Sequence, residues 1–169
     1  MEMMNRRFLL TSVGVSLLWG CSTDTTHLLP APSRQEPSPS QVRSSKRQDI
    51  VMHAMAMLDR GYTYGGKKLH TGFDCSGLVS FVYQESAGIA IKGSAFDMAR
   101  AARVVPPEQA SPGDLVFFNT LGSPFSHVGI YIGADKFIHA ANEKTGVTAE
   151  QLSRRYWARR FQGYRTLLA

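Results

Sequence analysis

The stretch Asp74-Cys75-Ser76-Gly77-Leu78-Val79-Ser80-Phe81-Val82-Tyr83-Gln84-Glu85-Ser86-Ala87-Gly88 sets a cysteine at the head of a buried helix. Leu78, Val79, Phe81 and Val82 follow Cys75 at helical spacing, Asp74 or a neighbour supplies the N-cap, and Gly88 stops the run. Upstream, Ile50, His53, Ala54, Met57 and Leu58 mark an amphipathic helix over Asp49 to Arg60, closed by Gly61, with His53 packed on its apolar face. Downstream, Phe96 to Arg103 reads as a short helix ended by Pro106-Pro107, and Ser111-Pro112-Gly113-Asp114 is turn chemistry leading into the strand Leu115 to Phe118. His127 to Gly133 and Lys136 to Ala140 read as two strands joined by a hairpin at Ala134-Asp135, and Ala149 to Arg160 as helical or mixed. Helices first and strands later, without strand-helix alternation, predict an α+β fold with an antiparallel sheet.

The chain has 169 residues, 43% of them hydrophobic and 19% charged, and a formal charge of +6. That length and balance fit one basic folded domain and exclude a wholly disordered chain or a multidomain machine. Two cysteines make neither a disulfide-rich scaffold nor a four-cysteine zinc site, and the five histidines contain no His-Glu-x-x-His run.

Arg6 and Arg7 precede an apolar run from Phe8 to Gly20, about thirteen residues, the length of a signal-peptide core and too short to span a bilayer. Its end, Leu18-Trp19-Gly20-Cys21, resembles the lipobox of bacterial lipoproteins, which implies cleavage after Gly20 and lipid on Cys21. An ordinary signal peptide or a buried N-terminal helix is the alternative. Ser22 rather than Asp follows Cys21, which by the same resemblance implies an outer-membrane berth facing the periplasm. Residues 21–45 are rich in Ser, Thr, Gln and Pro, with Pro30, Pro32, Pro37 and Pro39 closely spaced, and read as a disordered tether. The expected organisation is a signal peptide over 1–20, a lipidated tether over 21–45 and a folded domain over 46–169.

With Cys21 lipidated, Cys75 has no disulfide partner in an oxidising compartment, which points to a functional thiol. In the first turn of a helix it faces the positive end of the helix dipole, which favours the thiolate. His127 begins one strand and His139 sits near the end of its hairpin partner, so pairing brings them close, with register deciding whether they share a face. One histidine can take the thiol proton while the other fixes its tautomer. Each of the three also has an ordinary structural reading, as a buried cysteine or a packed histidine.

Tyr62-Thr63-Tyr64-Gly65-Gly66, Asp74-Cys75-Ser76-Gly77, Pro112-Gly113-Asp114-Leu115-Val116-Phe117-Phe118, His127-Val128-Gly129-Ile130-Tyr131 and Phe137-Ile138-His139-Ala140 together resemble the ordered motifs of the NlpC-type cell-wall peptidases. The resemblance covers nearly all of 46–169. It implies a papain-like fold and a thiol peptidase that cleaves amide bonds in the stem peptides or cross-links of peptidoglycan, with no cofactor and no metal. Carried over by residue, it makes Cys75 the nucleophile, His127 the general base and acid, and His139 the orienting residue. It places Tyr64 beside the active site to hold substrate or oxyanion, and Asp74 and Ser76 against the stem peptide. The backbone N–H of Cys75 is the expected oxyanion donor. One departure stands out: Lys92-Gly93-Ser94 replaces the Pro-Arg that members often carry before a Ser in the segment shaping the cleft.

Arg154, Arg155, Arg159 and Arg160, interleaved with Tyr156, Trp157 and Phe161, form a basic cluster. No nucleic-acid motif accompanies it, and a solvated face or attraction to an anionic wall polymer or membrane surface are the readings it carries. The expected partners are thus peptidoglycan stem peptides and a membrane held through Cys21, and no nucleic acid. Competing functions are a catalytically silent wall-binding or scaffolding lipoprotein, a Cys-His-His zinc site, and an acyltransferase. The last is disfavoured because permuted relatives place histidine before cysteine.

Overall fold

The computed structural model describes residues 36–168. The expected signal peptide, Cys21 and the greater part of the expected tether lie outside the described residues. In chain order the elements are α1 (Pro39–Ala56), β1 (Lys67–Lys68), β2 (Gly72–Phe73), α2 (Cys75–Ala87), α3 (Ala95–Ala101), β3 (Arg103–Val105), β4 (Leu115–Phe118), β5 (His127–Gly133), β6 (Lys136–Asn142), β7 (Gly146–Gln151), α4 (Arg155–Ala158) and β8 (Phe161–Thr166). Six strands form one sheet in the order β3-β8-β4-β5-β6-β7, every neighbouring pair antiparallel. The expected α+β class with an antiparallel sheet is the observed one.

The first helix starts inside the stretch expected to be tether. Ser38 caps it, accepting from the Gln41 N–H while the Gln41 side chain accepts from the Ser38 N–H, and Pro39 sits at its first turn. This reciprocal cap satisfies two orphan donors, and the missing N–H of a first-turn proline costs nothing, so the Ser-Pro-Ser-Gln sequence starts a helix instead of a coil. Two other expectations change. Arg103 leaves the short helix to begin β3, and the segment from Ala149 is the end of β7, a one-turn helix and then β8.

The short strand β4 shows why the sheet is buried on both sides. Leu115 and Phe117 point into the core formed with α1 and α2, together with Ile50, Leu78, Val82, Val128, Ile130 and Ile138. Val116 and Phe118 point the other way, into a second cluster with Phe137, Leu152 and Trp157. Period-two alternation therefore buries all four residues. The Pro-Gly-Asp turn before β4 is fixed from behind: Asp114, fully buried, takes the Arg47 guanidinium of α1 at 2.8 Å and accepts the Ser111 N–H. Tyr83 of α2 donates to the Gly113 carbonyl of the same turn. The loop that opens the sheet is thus clamped to both long helices.

Candidate active site

Asp74 caps α2 in extended conformation, its Oδ1 accepting from the Gly77 N–H at 2.6 Å and from the Ser76 hydroxyl at 2.9 Å. Cys75 is consequently the first helical residue, where backbone N–H groups have no intrahelical acceptor. The helix start is held close to the Tyr64-Gly65-Gly66 turn: the Asp74 N–H donates to the Gly66 carbonyl, and a Cβ at Gly77 would fall 1.9 Å from that same oxygen. Only glycine fits at 77, which ties two of the sequence motifs together physically.

Cys75 is half-buried and lines a cleft of about 360 Å³ with Tyr62, Asp74, Ser94, His127 and Trp157 among its walls. Burial pushes its thiol up to about 11, against the lowering effect of the backbone N–H groups of Val128, Ser76 and Cys75 that face the sulfur. The resting group is a thiol, placed among donors that stabilise charge once it forms.

His127 opens β5 and lines the same cleft, and its Nε2 lies 2.8 Å from Nδ1 of His139 on β6. Gly129 makes this possible. A Cβ there would come 2.7 Å from the Phe137 ring and 3.3 Å from His139 Cβ, so the bare backbone leaves room for the two rings to meet diagonally across the strands. Trp157 of α4 stacks on His127 at 5.7 Å and 25°, and meets His139 nearly perpendicularly at 4.8 Å. Phe118 and Phe137 complete an apolar box around the pair.

Burial in this box lowers His127 to about 4, although Asp74 pulls it up, and lowers His139 to about 2, with His127 adding to the effect. Both rings are therefore neutral at pH 7. Since His127 Nε2 is engaged with His139, its Nδ1 is the nitrogen left for chemistry. Nδ1 can accept a proton only in the tautomer where Nε2–H donates to His139 Nδ1. His139 then carries its own proton on Nε2, a buried atom with no hydrogen-bond partner among the described residues. That orphan carries a local cost, while the Nδ1 of the same ring fixes the tautomer of its neighbour.

The structure thus brings Cys75, His127 and His139 to one site. Asp74 and Ser76 also line the cleft, but the Ser76 hydroxyl and one Asp74 oxygen are spent on each other and on the helix cap. Tyr64 lines the cleft from its rim, 88% exposed. Tyr62, two residues earlier, lines it too and is half-buried, its hydroxyl raised by burial first and then by the charges of Cys75 and Asp74. Both tyrosines therefore border the cleft that holds Cys75. Ser94 of the departing segment, Ser126 and Trp157 also line the cleft. Sequence reading gave none of these a role in the site. Ser94 alone had a signal, as the serine the resemblance keeps. No group of three His, Cys, Asp or Glu side chains among the described residues is arranged to hold a metal ion, and His127 Nε2 and His139 Nδ1 are bonded to each other instead of converging on a shared point.

This geometry can be set beside known proteins. The model of the NlpC/P60 family matches residues 59–166. The chain is 39% identical over 117 residues to the gamma-DL-glutamyl hydrolase of Bacillus subtilis, covering 69% of this chain and 28% of that protein. It is 37% identical over 132 residues to a murein DD-endopeptidase, MepH, of Escherichia coli, covering 76% of this chain and 49% of that one. It thus spans less than half the length of these curated relatives. Among solved structures, an NLP/P60-family protein of Staphylococcus aureus described as similar to lipoprotein superposes with a TM-score of 0.65 at 32% identity, over 82% of this chain and 45% of the other. The motifs that frame the cleft all fall within the matched segment, and by that match the chain belongs to the NlpC/P60 family.

Proposed function

We propose that this protein is a lipid-anchored cysteine endopeptidase that hydrolyses amide bonds in the stem peptides or cross-links of peptidoglycan. The observation that carries the reading is that His127, which lines the cleft holding Cys75 at a helix start, is backed by a 2.8 Å contact from its Nε2 to Nδ1 of the buried His139. His127 Nδ1 takes the thiol proton as Sγ attacks the amide carbonyl carbon. The oxyanion forms beside the N–H of Cys75, a helix-start amide with no intrahelical acceptor. Collapse of the tetrahedral adduct breaks the C–N bond, and His127 returns the proton to the departing amine, leaving a thioester on Cys75. Water, deprotonated by His127, then releases the acid and restores the thiol. Throughout, His139 holds the ring with Nδ1 as acceptor, so the imidazolium formed in each half-reaction keeps a partner for its Nε2–H. Tyr62, which lines the cleft together with Cys75, borders the reacting carbonyl.

Two relatives are named for γ-linked glutamyl and DD bonds, and these are the two bond classes to test here. The Leu18-Trp19-Gly20-Cys21 sequence supports export and anchoring through Cys21, with Ser22 favouring the outer membrane on its periplasmic side. The test is digestion of purified peptidoglycan with the protein and with its Cys75→Ala variant, followed by mass spectrometry of the soluble fragments. New amine and carboxyl ends at one bond class, produced only by the unaltered protein, are the expected result. Wall binding without cleavage would make the chain a silent binding lipoprotein.

A further inference from the structure

The basic cluster near the C-terminus is not absorbed by the reaction just described, and the fold gives it a location. Arg159 and Arg160 line a pocket of about 590 Å³ with Asn119, Thr120 and Gln162, and no acidic side chain contributes to its wall. Thr120 also lines the catalytic cleft, so the two depressions adjoin. The α4 turn walls the cleft, since Trp157 packs on His127 and Tyr156 lines the cleft. Arg160 is held in place from that turn: its guanidinium lies 3.9 Å from the centre of the Tyr156 ring, and one amino group donates to the Tyr156 carbonyl at 3.0 Å. Its remaining N–H groups are left for another acceptor. Arg154, by contrast, is already paired with Glu150. Among the described residues neither Arg159 nor Arg160 has a carboxylate within ion-pair distance.

Two guanidinium groups without a carboxylate partner, one of them immobilised by stacking, in a polar pocket that adjoins the cleft holding Cys75 match one ligand chemistry. A planar guanidinium recognises a carboxylate through paired N–H···O bonds, and a stacked one loses less freedom on binding. We infer that this pocket is a subsite for a free carboxylate of the peptide substrate, on the side of the cleft walled by Thr120 and Tyr156. The inference rests on the peptidase reading, and it adds a preference for acidic over amidated peptides that the reacting groups do not supply. Arg155, exposed and outside the pocket, takes no part.

The experiment uses the Cys75→Ala protein and two synthetic peptides, L-alanyl-γ-D-glutamyl-L-lysine amide with the glutamyl α-carboxylate, its one free carboxyl group, left free or converted to the carboxamide, with binding followed by calorimetry. The acid should bind about tenfold tighter than the amide, the scale of one charge-assisted contact at a partly exposed site. Arg159→Gln and Arg160→Gln should each reduce that ratio and together abolish it, leaving affinity for the amide unchanged, while Arg155→Gln keeps the full ratio. Arg160→Lys, which retains charge but not the fork, should lose most of the preference and guards against misfolding of Arg160→Gln. Equal binding of the two peptides, a ratio that survives both substitutions, or no binding of either peptide would overturn the subsite. Failure of the peptidase reading looks different: the acid preference would be present, with no cleavage of either peptide by the protein that keeps Cys75.

Discussion

Acid should destabilise this fold through two particular rings. His127 and His139 are buried in the box of Phe118, Phe137 and Trp157, and their pKa values fall from 6.5 to about 4 and about 2. In the unfolded chain each titrates near its ordinary value, so between that value and the folded one the unfolded state holds more protons. Stability is then complete above about pH 7 and is lost as pH falls through the unfolded value. Going from pH 7 to pH 5 costs about 2 kcal/mol per ring and about 4 kcal/mol for the pair, a large part of the ~5–15 kcal/mol of a typical domain. His139→Asn isolates the effect. Its Oδ1 stands where Nδ1 stood and still accepts from His127, and one titrating ring is gone. Urea unfolding of both proteins at pH 7 and pH 5, followed by circular dichroism, should show the acid loss shrinking by about 2 kcal/mol in the variant. All other titrating groups cancel in that double difference. An acid loss equal in the two proteins would refute the assignment of His139 as a ring kept neutral by burial.

Three further outcomes follow from the same geometry. Gly129→Ala pushes a methyl against the Phe137 ring and His139 Cβ, and should cost about 1–3 kcal/mol in chemical denaturation while cutting turnover at least about tenfold, because the strand pair must open where the histidines meet. Tyr62→Phe should lower kcat about tenfold and Tyr64→Phe hardly at all, as measured on a cleavable peptidoglycan peptide, since the first side chain is half-buried in the cleft and the second is 88% exposed at its rim. Cys21→Ser should move the protein from the membrane fraction to the soluble fraction of cells, and persistent membrane association would remove the lipid anchor from the account.

Much of this site was legible in the chain because its elements carry their own signals. Asp74 and Gly88 bracket α2 as cap and stop, and Ala134-Asp135, both with positive φ, close the hairpin that sets His127 near His139. What escaped the reading depends on tertiary context. In β8, Phe161-Gln162-Gly163-Tyr164-Arg165-Thr166 mixes polar residues and a glycine, and it becomes a strand because β3 and β4 flank it. In β7 only Gly146 and Val147 are buried, which leaves a weak edge-strand pattern. The start of α1 did have a local signal, the Ser38 to Gln41 capping box, masked by the proline-rich composition around it. Tyr62 and Tyr64 are two residues apart in one loop, and only the folded loop makes the first half-buried and leaves the second exposed at the cleft rim. The role of Trp157 was equally hidden, because nothing local to an arginine-rich segment says that its indole will cover a histidine pair on distant strands.

The central claim is covalent chemistry at Cys75, and it can be weighed directly. The protein is mixed with a cleavable peptidoglycan peptide, quenched in acid within the first turnovers, and its intact and tryptic masses are measured. The account predicts a fraction carrying one added acyl fragment as a thioester on Cys75, absent from Cys75→Ala, which also releases no product. Turnover with Cys75 unmodified, or cleavage that persists in Cys75→Ala, would contradict it.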